Sequence, residues 1–258
     1  MASVAPSAAS IAGVEALKRL CAVLALAACT TVPERPAPAR QGAVAPFSSA
    51  VAGGELPAGW SAWIVDPRKP GTRYSLVEDG GRVVVRAEAD SSVSALTHDV
   101  AVDPASNPRI RWRWKAERLV AEAQELDLAR EDAPARVLVA FSGDAARLEP
   151  EERARLALAG ALSGREMPYA ILMYIWSSRH PAETVLANPR SSRVRMLVVE
   201  QGAAGLGRWL EYERDVASDY RRAFGEDAAA IVWIGVMTDT DDTRSSALTY
   251  YGDIVLGR

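Results

Sequence analysis

Three aspartates stand within four residues of one another near the C-terminus, in the stretch 237-MTDTDDTRSSALTYYGDI-254. Calcium binds about six to eight oxygen atoms, and carboxylates spaced along a turn supply several of them, so Asp239, Asp241 and Asp242 are candidate ligands of a structural calcium. The stretch lacks the glycine and the glutamate that an EF-hand loop requires. The same residue types also form polar turns or act as catalytic carboxylates, and the sequence leaves these three interpretations open.

Aromatic and basic residues form a second set with a chemical interpretation. The chain has seven tryptophans, and most of them are expected to fill the core. Trp60 and Trp209, which stand beside glycine-containing turns, are instead expected at a rim. With Arg136 and Tyr251 they are the candidate ligand-binding residues, because arginine and aromatic side chains orient polar ligands in a groove. Tyrosine, arginine and paired carboxylates are also the ingredients of a polysaccharide lyase or hydrolase.

Other catalytic chemistries lack their residues in this sequence. His98 and His180 are the only histidines, and there is no G-x-S-x-G elbow for a serine hydrolase. Two separated histidines without a cysteine in the predicted folded region form no zinc motif. The glycines of 202-GAAGLG-207 have the wrong spacing for a dinucleotide site. A formal net charge of −3 argues against a nucleic-acid partner. The sequence therefore discloses no specific reaction.

The elements that must position these residues are predicted to be strands, because apolar residues recur with a period of two. In 109-RIRWRWK-115, Ile110, Trp112 and Trp114 share one face and the basic residues share the other. The other predicted strands are 61-SAWIV, 82-RVVVRAE, 92-SVSALTHDV, 135-ARVLVAF, 169-YAILMYIW, 194-VRMLVVE, 230-AIVWIGVM and 247-ALTYYGDIVL.

Two stretches interrupt the strands with helical features, 149–162 and 217–225. About nine or ten strands joined by short links, without a β-α-β rhythm, predict a mostly β fold. We expect a two-sheet β-sandwich of jelly-roll type with one or two short helices, folded as a single domain over residues 48–258.

The N-terminus has the order of features found in an export signal. Lys18 and Arg19 precede the apolar run 20-LCAVLALAA-28, which is too short to span a membrane. The sequence 26-LAAC-29 resembles the lipobox of bacterial lipoproteins, in which the cysteine is lipidated. We therefore predict a lipoprotein-type signal peptide over residues 1–28 and a lipid anchor at Cys29. A plain cleavage site or a buried apolar helix is the alternative.

The residues after Cys29 predict a membrane-tethered protein. Residues 29–47 are rich in proline and alanine, a composition typical of an extended tether. Thr30 stands where an aspartate resembles the inner-membrane retention signal. We therefore expect an outer-membrane lipoprotein that faces the periplasm, with exposure on the cell surface left open.

Four stretches together resemble the bacterial DUF3047 family, a domain of unknown function. They are 112-WRWK, 131-EDAPARVLVAF, 211-EYERDVASDYRRAFG and 237-MTDTDDTRSSALTYYGDI. The resemblance covers about Leu56 to Leu256, and its most specific part is the C-terminal stretch. It implies an exported protein and supplies no activity. Asp242 stands where many relatives carry asparagine, which weakens a metal site that depends on an amide oxygen there.

These observations predict a ligand-binding β-sandwich module on the cell envelope, with an envelope glycan or another extended polar ligand as the expected partner. Binding is favoured over catalysis. The alternatives are a polysaccharide-active enzyme of lyase or hydrolase type and a structural or assembly protein with protein partners. Beyond the candidate calcium, no cofactor is assigned.

Overall fold

The structure is a computed structural model that describes Met1 and residues 43–258. The predicted signal peptide, the lipid anchor at Cys29 and most of the predicted tether lie outside the described residues. Within the described part, every helix is too short or too polar to cross a bilayer.

Two β-sheets and two α-helices make up the fold of residues 43–258, as the periodicity of the sequence predicted. The seven-stranded sheet contains, in spatial order, β1 (Trp60–Trp63), β4 (Ala95–Val102), β11 (Ile231–Asp239), β6 (Ala133–Phe141), β7 (Ala170–Ser177), β9 (Val194–Gln201) and β8 (Val185–Ala187). The six-stranded sheet contains β10 (Leu210–Asp215), β5 (Arg109–Ala116), β12 (Ser246–Tyr251), β3 (Arg82–Asp90) and β2 (Arg73–Asp79), with β13 (Val255–Gly257) paired to β5. The helices are α1 (Pro150–Ser163) and α2 (Val216–Phe224).

The connections confirm the jelly-roll prediction. From β3 to β6 each strand lies in the opposite sheet to the one before it. The late strands then insert between early ones, β11 between β4 and β6, and β12 between β3 and β5. Every described strand pair is antiparallel except β7 with β9. This interleaving closes a sandwich of two sheets.

Aromatic side chains from facing strands fill the space between the sheets. Along β5 the residues alternate between buried and more exposed, as its sequence predicted. The ring of Trp112 lies 4.9 Å from that of Tyr174 on the opposite sheet, and Trp114 lies 6.2 Å from Trp176. Burial of each tryptophan removes roughly 150–250 Å² from water, worth about 4–6 kcal/mol of transfer free energy.

The seven-stranded sheet is also covered on its outer face. All nine residues of β6 are buried, because its inner face meets the core while its outer face lies beneath loops and α1. An outer-face cluster of Trp63, Leu138, Ile171, Trp233 and Met237 is separate from the main core. The candidate binding site lies on this covered face.

The boundary predicted between tether and domain requires a correction. Phe47 is fully buried and its ring lies 4.4 Å from that of Trp60. The carbonyl of Ala45 accepts a hydrogen bond of 2.8 Å from the Trp60 indole. The domain therefore includes residues before position 48, because an aromatic side chain there completes the core. Strands β2 and β8 were also absent from the predicted set, and the predicted strand at 247–256 is divided in the structure into β12 and β13.

Candidate binding site

A cavity of about 320 Å³ lies between the outer face of the seven-stranded sheet and α1. Its apolar lining from the strands includes Trp63, Leu138, Ile171, Met173 and Met237. The helix contributes the apolar side chains of Leu156, Ala159 and Leu162, and also Arg155. These strand side chains point away from the core because their neighbours in sequence point into it. We call this space the α1 cavity.

The helix α1 covers the α1 cavity and packs loosely on the rest of the domain. Pro150 occupies its first turn, and Gly164 ends it in a left-handed conformation with φ of 66°. Glu152 is the one buried residue among its 14, and it accepts a hydrogen bond from the Ser191 hydroxyl. A second depression, of about 830 Å³, shares Leu156 and other lining residues with the α1 cavity. The helix therefore has open space on both sides.

A buried arginine with two carboxylates forms part of the cavity wall. Arg136 is 1% exposed and donates two hydrogen bonds of 2.8 Å, from Nε and Nη2, to the carboxylate of Asp239. Its Nη1 donates to Glu131 Oε1 at 2.6 Å, and its Nη2 donates to the Glu131 carbonyl at 3.0 Å. The planar guanidinium fork suits this two-point contact, which fixes the three side chains relative to one another.

Two further cations reach the same wall from more exposed positions. Lys69 pairs with Asp241 and lies 3.1 Å from Asp242, while Arg190 pairs with Asp242 and lies 3.7 Å from Glu131. The side chains of Lys69 and Arg190 are 34% and 47% exposed, against 8% and 10% for Asp241 and Asp242. The carboxylates therefore lie deeper than the cations that contact them.

Asp132 lies behind this wall, close to Asp241 and Asp242, and takes part in the one described set of carboxylates that could hold a metal. One oxygen each of Asp132, Asp241 and Asp242 lie within 4.8 Å of one another. Asp132 is fully buried and accepts hydrogen bonds from the Thr243 amide at 2.7 Å and its hydroxyl at 2.6 Å. The predicted calcium set therefore needs a correction, since the carboxylate of Asp239 binds Arg136 instead.

These eight charged residues form one connected group, which we call the charged cluster. Its members are Lys69, Glu131, Asp132, Arg136, Arg190, Asp239, Asp241 and Asp242. Seven of them line the α1 cavity.

The buried charges of the cluster have shifted pKa values. Burial by itself would lower the pKa of Arg136, but the carboxylates of Asp239 and Glu131 outweigh it and raise that pKa. Burial raises the pKa of Asp239, an effect that Glu131 and Asp132 reinforce and Arg136 opposes. The desolvation of Lys69 is likewise outweighed by its two aspartates, which raise its pKa. All three cations of the cluster therefore stay charged at neutral pH.

Two predicted ligand-binding residues lie in the core instead of at a rim. Trp60 is 7% exposed, with its ring against Phe47. Tyr251 is 1% exposed, and its hydroxyl donates to the Met237 carbonyl at 2.6 Å and accepts from the Arg136 amide at 3.2 Å. Both side chains point into the sandwich, where a ligand does not reach them. Tyr251 instead supports the strand that carries Arg136.

Trp209 is half-buried on the opposite side of the molecule, at the six-stranded sheet. Its indole N–H donates to Asp79 at 2.7 Å, and the Arg113 guanidinium lies 4.3 Å from its ring centre. Of the four predicted ligand-binding residues, the structure therefore places only Arg136 at the α1 cavity.

Several residues of the site were missed by sequence reasoning. Glu131 and Asp132 stand in the stretch 131-EDAPARVLVAF with Arg136, and this clustering of charges before a buried strand was a usable signal. Lys69 and Arg190 come from turns that carry no comparable signal. Trp63 was expected in the core, yet it lines the cavity, and its buried indole N–H has no hydrogen-bond acceptor among the described residues.

Comparison with known proteins gives one family and a set of distant structural resemblances. The chain matches the family described as "Protein of unknown function (DUF3047)" over residues 58–255. No curated protein matches it. Two of the solved structures that it resembles are cleaved adhesin domains of Lys-gingipain. The K2 domain has 12% identity and a TM-score of 0.37, with 83% of this chain and 96% of that chain covered. The K3 domain, from Porphyromonas gingivalis W83, has 12% identity and a TM-score of 0.34, with coverage of 78% and 93%.

Proposed function

The chain belongs to the DUF3047 family, whose description assigns no activity, and from this premise we propose that its folded domain binds a small amphiphilic ligand in the α1 cavity. The observation that carries the proposal is a largely apolar cavity with the charged cluster in its wall. Ligand sites typically combine apolar walls with a few placed polar groups. The indole N–H of Trp63, which has no acceptor in the described part of the chain, adds a donor that an acceptor atom of the ligand would satisfy.

The size of the cavity limits the ligand. A volume of about 320 Å³ is at the lower end of the range for small-molecule sites. A methylene group has a volume comparable to that of a water molecule, roughly 30 Å³, so the cavity accommodates an apolar body of about ten carbons. Such a body, buried at about 0.8 kcal/mol per methylene, is sufficient to offset the usual cost of association.

The placement of the aromatic residues supports this ligand over the extended glycan expected from the sequence. A glycan platform needs aromatic faces open to solvent, and Trp60 and Tyr251 are buried. Trp209 has its ring against the Arg113 guanidinium. The enzymatic alternative also has weaker support, because neither a tyrosine nor a histidine is among the described residues that line the cavity with Arg136.

We further propose that this domain is anchored to the outer membrane by a lipid and faces the periplasm. The support comes from the sequence alone, through the lipobox-like 26-LAAC-29 and the proline-rich stretch that follows Cys29. A tethered binding module would hold its ligand close to the membrane without entering it.

The test is a series of linear alcohols of increasing chain length, with binding followed by calorimetry and by the change in melting temperature. We expect each added methylene to strengthen binding by about 0.8 kcal/mol, which is roughly fourfold in Kd. The gain should stop near ten carbons, when the cavity is full. Affinity that does not depend on chain length would contradict the proposal.

A matched pair of variants on α1 locates the site. Leu156 lines the cavity, whereas Leu158, two residues away, is 62% exposed and does not line it. The Leu156→Gln variant should weaken binding of decanol by about tenfold, because it places an amide against the apolar body of the ligand. The Leu158→Gln variant should bind like the wild type. Equal effects of the two substitutions would place the ligand elsewhere.

A further inference from the structure

The charged cluster carries more negative than positive charge. Its five carboxylates are set against three cations, a formal excess of two negative charges in the cluster. Four of the carboxylates and all three cations line the cavity, and Asp132 lies behind them. Asp132 has no cation in contact among the described residues, and its partners are the amides of Asp242 and Thr243 and the Thr243 hydroxyl. A net charge held in a largely buried site attracts a counter-charge more strongly than the same charge in water does.

The other charged residues that line the cavity do not offset this excess. Each of the three remaining cations in the lining has its own carboxylate partner. The pairs are Arg68 with Asp66 at 2.8 Å, Arg155 with Glu151 at 2.7 Å, and Arg193 with Glu226 at 2.6 Å. Glu151 and Glu226 do not themselves line the cavity, but each ion pair is neutral in sum, so these pairs leave the excess negative charge of the cluster in place.

The depth of the charges favours a cationic ligand group over an anionic one. Asp241 and Asp242 are the deeper partners, and Lys69 and Arg190 reach them from exposed positions on long, flexible side chains. A ligand cation can replace these side chains, which then return to water. A ligand anion would lie against the two aspartates and be repelled by them.

We infer that the ligand of the α1 cavity carries an organic ammonium group on its apolar body, and that this group binds the carboxylates of Asp241 and Asp242. The inference rests on the proposed function and specifies the chemistry of the same site. An ammonium group has three N–H donors, and hydrogen bonds between ions of opposite charge are the stronger ones in proteins. Asp241 and Asp242 thereby select the ligand head group, and the apolar walls select its body.

The test compares three probes with the same ten-carbon chain, namely decylamine, decanol and decanoate, at neutral pH and low ionic strength. We expect decylamine to bind at least about tenfold more tightly than decanol, because of the added charge-assisted hydrogen bonds, and decanoate to bind most weakly. If decanol binds as tightly as decylamine, the ammonium inference fails while the proposed binding site stands. If none of the three binds, the proposed function fails as well.

Two variants assign the preference to the cluster. The Asp241→Asn substitution should reduce the preference for decylamine over decanol by about tenfold, and retained binding of decanol in the same variant reports that the cavity is intact. The control is Asp227→Asn, which removes an acid whose side chain is 83% exposed and which does not line the cavity. Should Asp241→Asn fail to fold, Asp242→Asn provides the same comparison. A preference for decylamine that survives both substitutions in the cluster, or that Asp227→Asn removes, would overturn the inference.

Discussion

Replacement of Arg136 by methionine should destabilise the domain by about 3–5 kcal/mol. The substitution keeps an unbranched apolar side chain of moderate size but leaves Asp239, which is 2% exposed, without its cation. Removal of one partner from a buried ion pair typically has a cost of this magnitude, because the other charge stays buried and uncompensated. Glu131 retains Arg190 at 3.7 Å, so most of the loss should come from Asp239. For a domain of this size the melting temperature should fall by roughly 6–20 °C.

The pH dependence of the loss identifies its cause. Burial raises the pKa of Asp239, and Arg136 opposes that rise. Without the arginine, the folded state therefore favours the protonated carboxyl more strongly. Because the folded pKa then lies above the unfolded value of about 3.9, the folded state binds more protons than the unfolded state, and stability increases as pH falls. The loss measured at about pH 5.5 should be smaller than the loss at about pH 8.

Urea unfolding followed by circular dichroism measures these differences, with equal m-values as the condition for comparing midpoints. The double variant Arg136→Met/Asp239→Asn should recover part of the stability, since it removes both charges. The control is Arg221→Met, which breaks an exposed pair with Asp227 and should change stability by about 0.5 kcal/mol or less. A loss below about 1 kcal/mol in Arg136→Met, or a loss independent of pH, would refute the reasoning.

Three further predictions concern pH, metal and the membrane. Burial raises the pKa of Tyr74 and Tyr174 well above the usual value, so the folded state keeps protons that the unfolded state loses. Melting temperatures should therefore decline as pH rises above about 10. Melting temperatures that do not change above that pH, together with tyrosinate absorbance in the folded protein, would contradict the raised pKa values. Millimolar calcium should leave the melting temperature unchanged, because both oxygens of Asp132 accept hydrogen bonds and calcium needs about six ligands. A rise in melting temperature with calcium that Asp132→Asn abolishes would establish a calcium site. In cells, Cys29→Ala should remove lipid labelling and release the protein from membranes, and retention of both would exclude an anchor at that residue.

The alternation of β5 shows why the fold could be predicted from sequence. Each sheet has one face in the core, and a period of two records that difference wherever the other face meets water. In β5 the outward residues are basic, so the sequence identified both the strand and its buried face. The prediction of a jelly-roll sandwich rested on the number of strands and their short connections, together with the lack of β-α-β units, whereas the order of strands within each sheet came from the structure.

The site could not be predicted in the same way, because its residues face a covered surface. In β6 the outer-face positions Leu138 and Ala140 are as apolar as their inward neighbours, and only Arg136 departs from this composition. Nothing local in such a strand distinguishes the cavity from the core. The cavity exists because α1 stands away from the sheet, and Lys69 and Arg190 come from turns that tertiary packing brings together.

The stretch that best identifies the family, residues 237–254, contributes both to the core between the sheets and to the wall of the α1 cavity. Thr238 points inward, where its hydroxyl donates to the Pro134 carbonyl at 2.9 Å and lies 2.8 Å from the Tyr251 hydroxyl on the facing sheet. The next residue, Asp239, points to the outer face and binds Arg136. Asp241 then lies at the cavity wall. Different residues of this stretch should therefore serve stability and ligand binding. Thr238→Val should lower the unfolding midpoint, and Asp241→Asn should change which ligand head group is preferred. A stretch required only for folding would have no reason to place the carboxylates of Asp241 and Asp242 at a cavity wall, deeper than the cations that contact them.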